Sequence, residues 1–129
     1  MTTKAFYPVP TSSIVPKRIL LVDDSRSQAT LRVRQLRNFG FRVDWADCVN
    51  LAYSYSQDRR YDVIVVALGS EASRSTELMQ RLRKLSPRPA LAFLANKDSV
   101  MPAVWCENVL WSEEHPEYMA ARIEAIAAA

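Results

Sequence analysis

At 129 residues, 49% apolar and 24% charged, the chain is long enough to bury a core and is composed like an ordinary globular domain. A net charge of +3 and an isoelectric point near 9.1 suit an acidic protein partner and are too modest to indicate nucleic acid. Gly40 and Gly69 are the only glycines, which excludes a Walker loop or a dinucleotide fingerprint, because both need several glycines to bring backbone N–H groups close to phosphate.

One histidine, His115, and two distant cysteines, Cys48 and Cys106, argue against an ordinary zinc site, and the cysteine spacing suggests free thiols in a reducing cytosol. His115 precedes Pro116 at an expected helix start, a poor place for the base of a nucleophilic pair. No segment approaches the length of a membrane span or has a signal-peptide pattern, so a cytoplasmic protein is expected.

Residues 1–16, with Pro8, Pro10, Pro16 and a Thr-Ser-Ser run, read as a flexible tail, leaving 17–129 as the domain. Ile19 to Val22 form a continuous apolar run that ends in Asp23-Asp24, as in a strand buried on both faces. Ser25 and Gln28 have capping-box spacing, and Ala29, Leu31, Val33, Leu36 and Phe39 follow, mostly as a helical stripe that Gly40 stops. Phe41 to Ala46 alternate as a second strand. Asp47 is placed to cap a helix running to about Gln57, with Leu51, Ala52 and Tyr55 inward.

"YDVIVVALGS" (Tyr61 to Ser70) supplies a third strand over Asp62–Ala67. A helix from about Ser73 to Leu85 carries Leu78, Leu82 and Leu85, and "SPRP" ends it. Ala90–Leu94 is a fourth strand and Val109–Trp111 a short fifth. Pro116 opens a last helix containing Tyr118, Met119, Ile123 and Ile126. This alternation implies an α/β fold, a doubly wound parallel sheet with right-handed crossovers. The flavodoxin-like (βα)5 strand order 2-1-3-4-5 is the expectation for this size.

The stretch "RILLVDDSRSQATLRVRQLRNFGFRVDWADCVNLAYSYSQDRRYDVIVVALGS" resembles a response-regulator receiver domain, in the acidic pair after strand one, the Leu-x-x-x-Gly-Phe-x-Val passage into strand two, and "YDVIVV". The resemblance extends over roughly Lys17 to Ile126. It implies a site in which two acidic residues and a strand-three aspartate hold magnesium and the aspartate accepts phosphate. A hydroxyl after strand four, a lysine after strand five and a strand-five aromatic then respond.

Carried across residue by residue, the acidic pair survives as Asp23 and Asp24. The phosphoacceptor position falls on Ala67, the hydroxyl on Leu94, the lysine on Ser112 and the switching aromatic on Val109. The stretch between Leu94 and Ser112 is short for the family, which predicts a shortened helix in that crossover. These departures identify a degenerate, or pseudo-receiver, member.

Asp23 and Asp24 could form a residual, weak magnesium site; the favoured alternative leaves both hydrated beside the first helix and stabilised by its dipole, with Arg26 a further partner. No catalytic residue and no required cofactor are expected. Arg32, Arg34 and Arg37, and separately Arg81, Arg83, Lys84 and Arg88, make either solvated helix faces or a partner-docking surface. Trp105, Cys106, Trp111, Tyr118 and Met119 gather apolar bulk that is expected to be mostly core, with Trp105, Trp111 and Tyr118 also candidates for a partner or homodimer surface. The resemblance implies a phosphorylation-independent interaction module in bacterial two-component-type signalling, with a histidine kinase, phosphotransfer protein or other regulator as partner. An atypical receiver phosphorylated on another carboxylate, and a receiver-like oligomerisation domain of a longer regulator, are the alternatives.

Overall fold

The computed structural model describes residues 15–68, 72–96 and 108–129. Within them the elements run β1 (Arg18–Asp23), α1 (Arg26–Asn38), β2 (Arg42–Ala46), α2 (Val49–Asp58), β3 (Val63–Ala67), α3 (Ala72–Leu82), β4 (Ala90–Ala95), β5 (Val109–Trp111) and α4 (Pro116–Ala128). The expected tail, up to residue 14, lies outside the described residues. So do Trp105, Cys106 and most of the crossover between β4 and β5, and with it the expected shortened helix.

All the strand pairs are parallel, and the sheet has the order β2-β1-β3-β4-β5. This is the flavodoxin-like arrangement anticipated from the alternation of apolar runs and helical stripes. The inner strands β1, β3 and β4 are apolar through their middles because each face of the sheet meets a helical layer. On one face Leu20, Val22, Ile64, Val66, Leu91 and Phe93 pack with residues of α2 and α3. On the other, Ile19, Leu21, Val63, Val65, Ala92 and Leu94 pack with residues of α1 and α4. The two-residue period of a strand therefore sorts consecutive residues into separate cores.

Local chemistry sets the helix ends. The Ser25 hydroxyl accepts from Gln28 N at 3.5 Å, opening α1. At its other end Gly40 N donates to Arg37 O (3.0 Å) and Phe41 N to Leu36 O (3.3 Å), with Gly40 at φ +92°. This is a Schellman closure, and the buried Phe41 and Leu36 supply its apolar contact.

Three sequence expectations need correction. Asp47 does not cap α2: Cys48 occupies the cap position, and its carbonyl takes Ala52 N, with no side-chain bond there. The helix expected to reach Leu85 ends at Leu82, where Lys84 N→Arg81 O and Leu85 N→Leu82 O tighten the chain into turns. On α1 only Ala29 and Leu36 are buried, with Val33 partly so. Leu31 and Phe39 are 51% and 46% exposed because the 29/33/36 spacing already fills the narrow stripe that meets the sheet.

A Cβ at residue 40 would meet no atom within 4 Å, so the cost of replacing that glycine is conformational. Gly40→Ala should lower the unfolding free energy by about 1 kcal/mol, read from the urea midpoint with the m-value unchanged.

Candidate functional site

In a parallel sheet of this kind the strand C-termini form the edge at which ligands and chemistry are usually placed. Here Asp23 lies opposite Ala67 on the neighbouring strand, and the next pair across the sheet places Val66 against Phe93, just before Leu94. Leu94 pairs with Leu110, and Ser112 N donates to Ala95 O at 2.8 Å immediately beyond β5. Ala67 and Leu94 are both buried, at 9% and 4% exposure, in the core beneath α1 and α4. Val109 pairs with Phe93 and packs against the opposite core. The last residues of β3 and β4 are thus apolar, and Asp23, Asp24 and the half-buried Ser112 are polar groups at the same edge.

Of the acidic pair, Asp24 stays exposed as expected, whereas Asp23 is withdrawn from water. Asp23 is 1% exposed and fully engaged. One carboxylate oxygen accepts Ser25 N at 2.9 Å, the other accepts Arg32 Nη1 at 2.6 Å, and its main-chain carbonyl accepts the Trp45 indole at 2.8 Å. A carboxylate removed from water in this way requires a countercharge, and Arg32, itself only 17% exposed, supplies it from the second turn of α1. Arg32 therefore belongs to an internal ion pair and not to an open docking face. Asp24 pairs with Arg74 of α3 at 3.2 Å, in a more exposed setting. Neither aspartate is held by Arg26.

This donor set does not fit a magnesium ion. Such an ion wants about six oxygens in octahedral array, whereas the two carboxylates already carry guanidinium partners. Among the described residues no group of three or more His, Cys, Asp or Glu side chains could hold a metal.

The other candidate residues are scattered. Arg34 and Arg37 are exposed on α1, and Arg37 Nη2 donates to Val43 O at 2.8 Å. Trp111 (43% exposed) and Tyr118 (60%) lie at the surface, contrary to the expectation that their bulk is mostly core, whereas Met119 is buried. The short β5 buries only Leu110 fully; Val109 packs partly buried against the opposite core, and Trp111 at the strand end is left exposed. Tyr118 packs edge-on against His115, with ring centroids 6.1 Å apart. Arg81 is not simply solvated: it spans from α3 to α2, over the Tyr53 ring at 4.3 Å and on to Asn50 at 3.0 Å.

Sequence reasoning missed a second charged cluster near the outer strand. The Tyr61 hydroxyl donates to Asp44 at 2.6 Å, and Arg59 Nη1 reaches the same oxygen at 3.0 Å. Burial pushes the Tyr61 phenol up to about 12, helped by the carboxylate it donates to. Burial acts to raise Asp44 as well, but the bonds from Tyr61 and Arg59 and the nearby positive charges outweigh it, so its carboxyl sits below the usual value. The alternating Val43-Asp44-Trp45 in the second strand was the available signal. A charged residue on an outer strand is too common to single out without its partners.

No protein-family model matches the chain, and no curated protein sequence matches it either. Solved structures do. The chain is similar to the chemotaxis protein CheY4 of Vibrio cholerae, with a TM-score of 0.74 and 21% identity over 87% of this chain and 99% of that one. It is similar to a CheY-like response-regulator receiver domain protein of Methanospirillum hungatei, with a TM-score of 0.75 and 12% identity over 86% of this chain and 94% of that one. It is also similar to a member of a streptococcal family of redox sensors evolved from two-component response regulators (TM-score 0.68, 21% identity, 87% of this chain), of which it spans 51%. The structural neighbours are receiver domains, and the fold is the receiver fold of two-component response regulators.

Arg32→Ala should cost about 3 kcal/mol in chemical unfolding, because it leaves a buried carboxylate without its countercharge. Arg74→Ala, at the more exposed pair, should cost about 1 kcal/mol or less. The Tyr61 phenol, raised above its unfolded value of 10.0, contributes stability that is complete below pH 10 and is lost as the pH rises through about 12. Tyr61→Phe should therefore flatten the fall of the urea midpoint between these two values.

Proposed function

We propose that the chain is a receiver-fold module that binds a protein partner without being phosphorylated, in bacterial two-component-type signalling, and that it is not an enzyme. The observation that carries this reading is the state of the strand edge. β3 ends in Ala67, which has no nucleophile, and the neighbouring Asp23 is buried and neutralised by Arg32.

Phosphoryl transfer to a carboxylate needs a free nucleophile and cations that offset the developing charge on the phosphoryl oxygens. Asp23 and Asp24, the carboxylates among the described residues at this edge, are already bonded to arginines. Leu94 provides no hydroxyl and Ser112 no ammonium group. The arrangement suits a fixed shape better than a covalent switch. A fixed shape acts through its surface, and the partners implied by the receiver resemblance are a histidine kinase, a phosphotransfer protein or another regulator. The exposed Trp111 and Tyr118 favour a second surface for docking or self-association, since such side chains are enriched at binding hot spots.

The test is incubation of the full chain with acetyl phosphate and magnesium, followed by intact-mass measurement and hydroxylamine treatment. The mass should stay unchanged. Stoichiometric, hydroxylamine-sensitive addition would overturn the reading in favour of a receiver phosphorylated on another carboxylate. Ala67→Asp alone should also remain a poor phosphoacceptor, because the new carboxylate would still lack its hydroxyl and ammonium partners.

A further inference from the structure

The flank of α1 that turns toward β2 is built differently from the rest of the surface. Thr30, Val33, Arg34, Arg37 and Asn38 follow one another at helical spacing, and with Trp45 of β2 they enclose a groove of about 510 Å³. On the other side of Arg37 a second groove, of about 340 Å³, continues along the strand between Phe41, Val43 and Asp44, with Arg18 and Arg42 at its rim. Arg37 lines both, so the two lobes form one track from the flank of β2, which has no further strand beside it, to the N-terminal ends of β1 and β3, where Arg18 and Tyr61 lie.

The charge along this track is not balanced. Elsewhere Arg32, Arg59, Arg74, Arg81 and Arg122 each meet a carboxylate. Arg34 and Arg42 have no ion pair and no side-chain hydrogen bond among the described residues, and Arg37 is bonded to a neutral carbonyl. Asp44 is the only acidic residue that lines either lobe among the described residues, and its carboxylate is already shared by Tyr61 and Arg59. Trp45 turns its one polar atom inward to Asp23 O, which leaves the apolar ring to line the groove.

The backbone of the edge is partly covered. Arg42 N donates inward to Lys17 O, so Val43 and Trp45 direct their main-chain groups outward, and Arg37 already occupies Val43 O. A partner is therefore read by side chains more than by an added strand.

We infer that this track seats an extended acidic segment of a partner protein, with an apolar side chain against Trp45 and carboxylates on Arg34, Arg37 and Arg42. The inference rests on the reading of the chain as a protein-binding module and adds the place and chemistry of one contact. Uncompensated arginines beside an aromatic groove match a carboxylate-rich segment, through bidentate bonds that lysine could not make as well. The site lies on the flank of α1 and touches the acidic corner through the Trp45 indole, which donates to Asp23 O.

The test is selection of twelve-residue peptides from a random display library on the full chain, with counter-selection on Arg34→Glu/Arg42→Glu. Recovered peptides should be rich in Asp and Glu around a Leu, Phe or Trp. Their affinity should fall tenfold or more in the double variant, weaken with added salt, and shift the Trp45 indole N–H resonance. Arg34→Gln/Arg42→Gln, which only removes charge, should give a smaller loss, and circular dichroism on both variants reports folding.

Failure to recover acidic peptides, affinity unchanged in either folded variant, or tighter binding of a single-stranded oligonucleotide would each overturn the proposal. If the proposal fails while the chain still refuses phosphate, the interaction-module reading stands without this site. Phosphate incorporation would remove that reading whatever the peptides do.

Discussion

A buried carboxylate at the end of a central strand has to be neutralised, and the C-terminal edge of this sheet is arranged around that requirement. Asp23 has no access to water, so each of its oxygens must find a donor within the protein. Ser25 N meets one need and simultaneously positions the start of α1. Arg32, two turns further along the same helix, meets the other. The Trp45 indole closes the main-chain carbonyl and ties β2 to the same point. One charge thus fixes the approach of a helix and of an outer strand.

The consequence for chemistry is direct. A receiver fold places its strand ends together so that separate loops can contribute to one site. Here those ends contribute a methyl group from Ala67, a buried isobutyl group from Leu94 and carboxylates tied to arginines. Ala67 and Leu94 extend the core beneath α1 and α4 and need no polar partners.

Charge is redistributed across the surface in a complementary way. Arg32 and Arg74 near the strand ends and Arg81 between α2 and α3 are consumed by internal pairs or by a tyrosine ring. Those beside β2 remain uncompensated, so a modest net charge of +3 becomes a local positive track. Composition alone would spread that charge evenly. An average of this kind says little about binding until each positive group has been matched with its partner.

Much of the fold was legible in the sequence because strand and helix periods act locally. Continuous apolar runs at Ile19–Val22 and Val63–Val66, the cap at Ser25 and the stop at Gly40 lead to parallel strands in the order 2-1-3-4-5. The absence of a nucleophile at residue 67 is likewise a property of sequence alone. The partners of the charges were not legible. Arg32 meets Asp23 across nine residues and Arg74 meets Asp24 across fifty, while Arg26, closer in sequence, holds neither. Trp45 could be read as a core residue, but not as the donor that closes Asp23 O. Sequence determined which segments pair and which face each turns inward, because those follow from the alternation of apolar groups along the chain. Only the tertiary structure decided which arginines are consumed and which remain open, because ion pairing depends on distances of a few ångströms set by sheet register and helix placement.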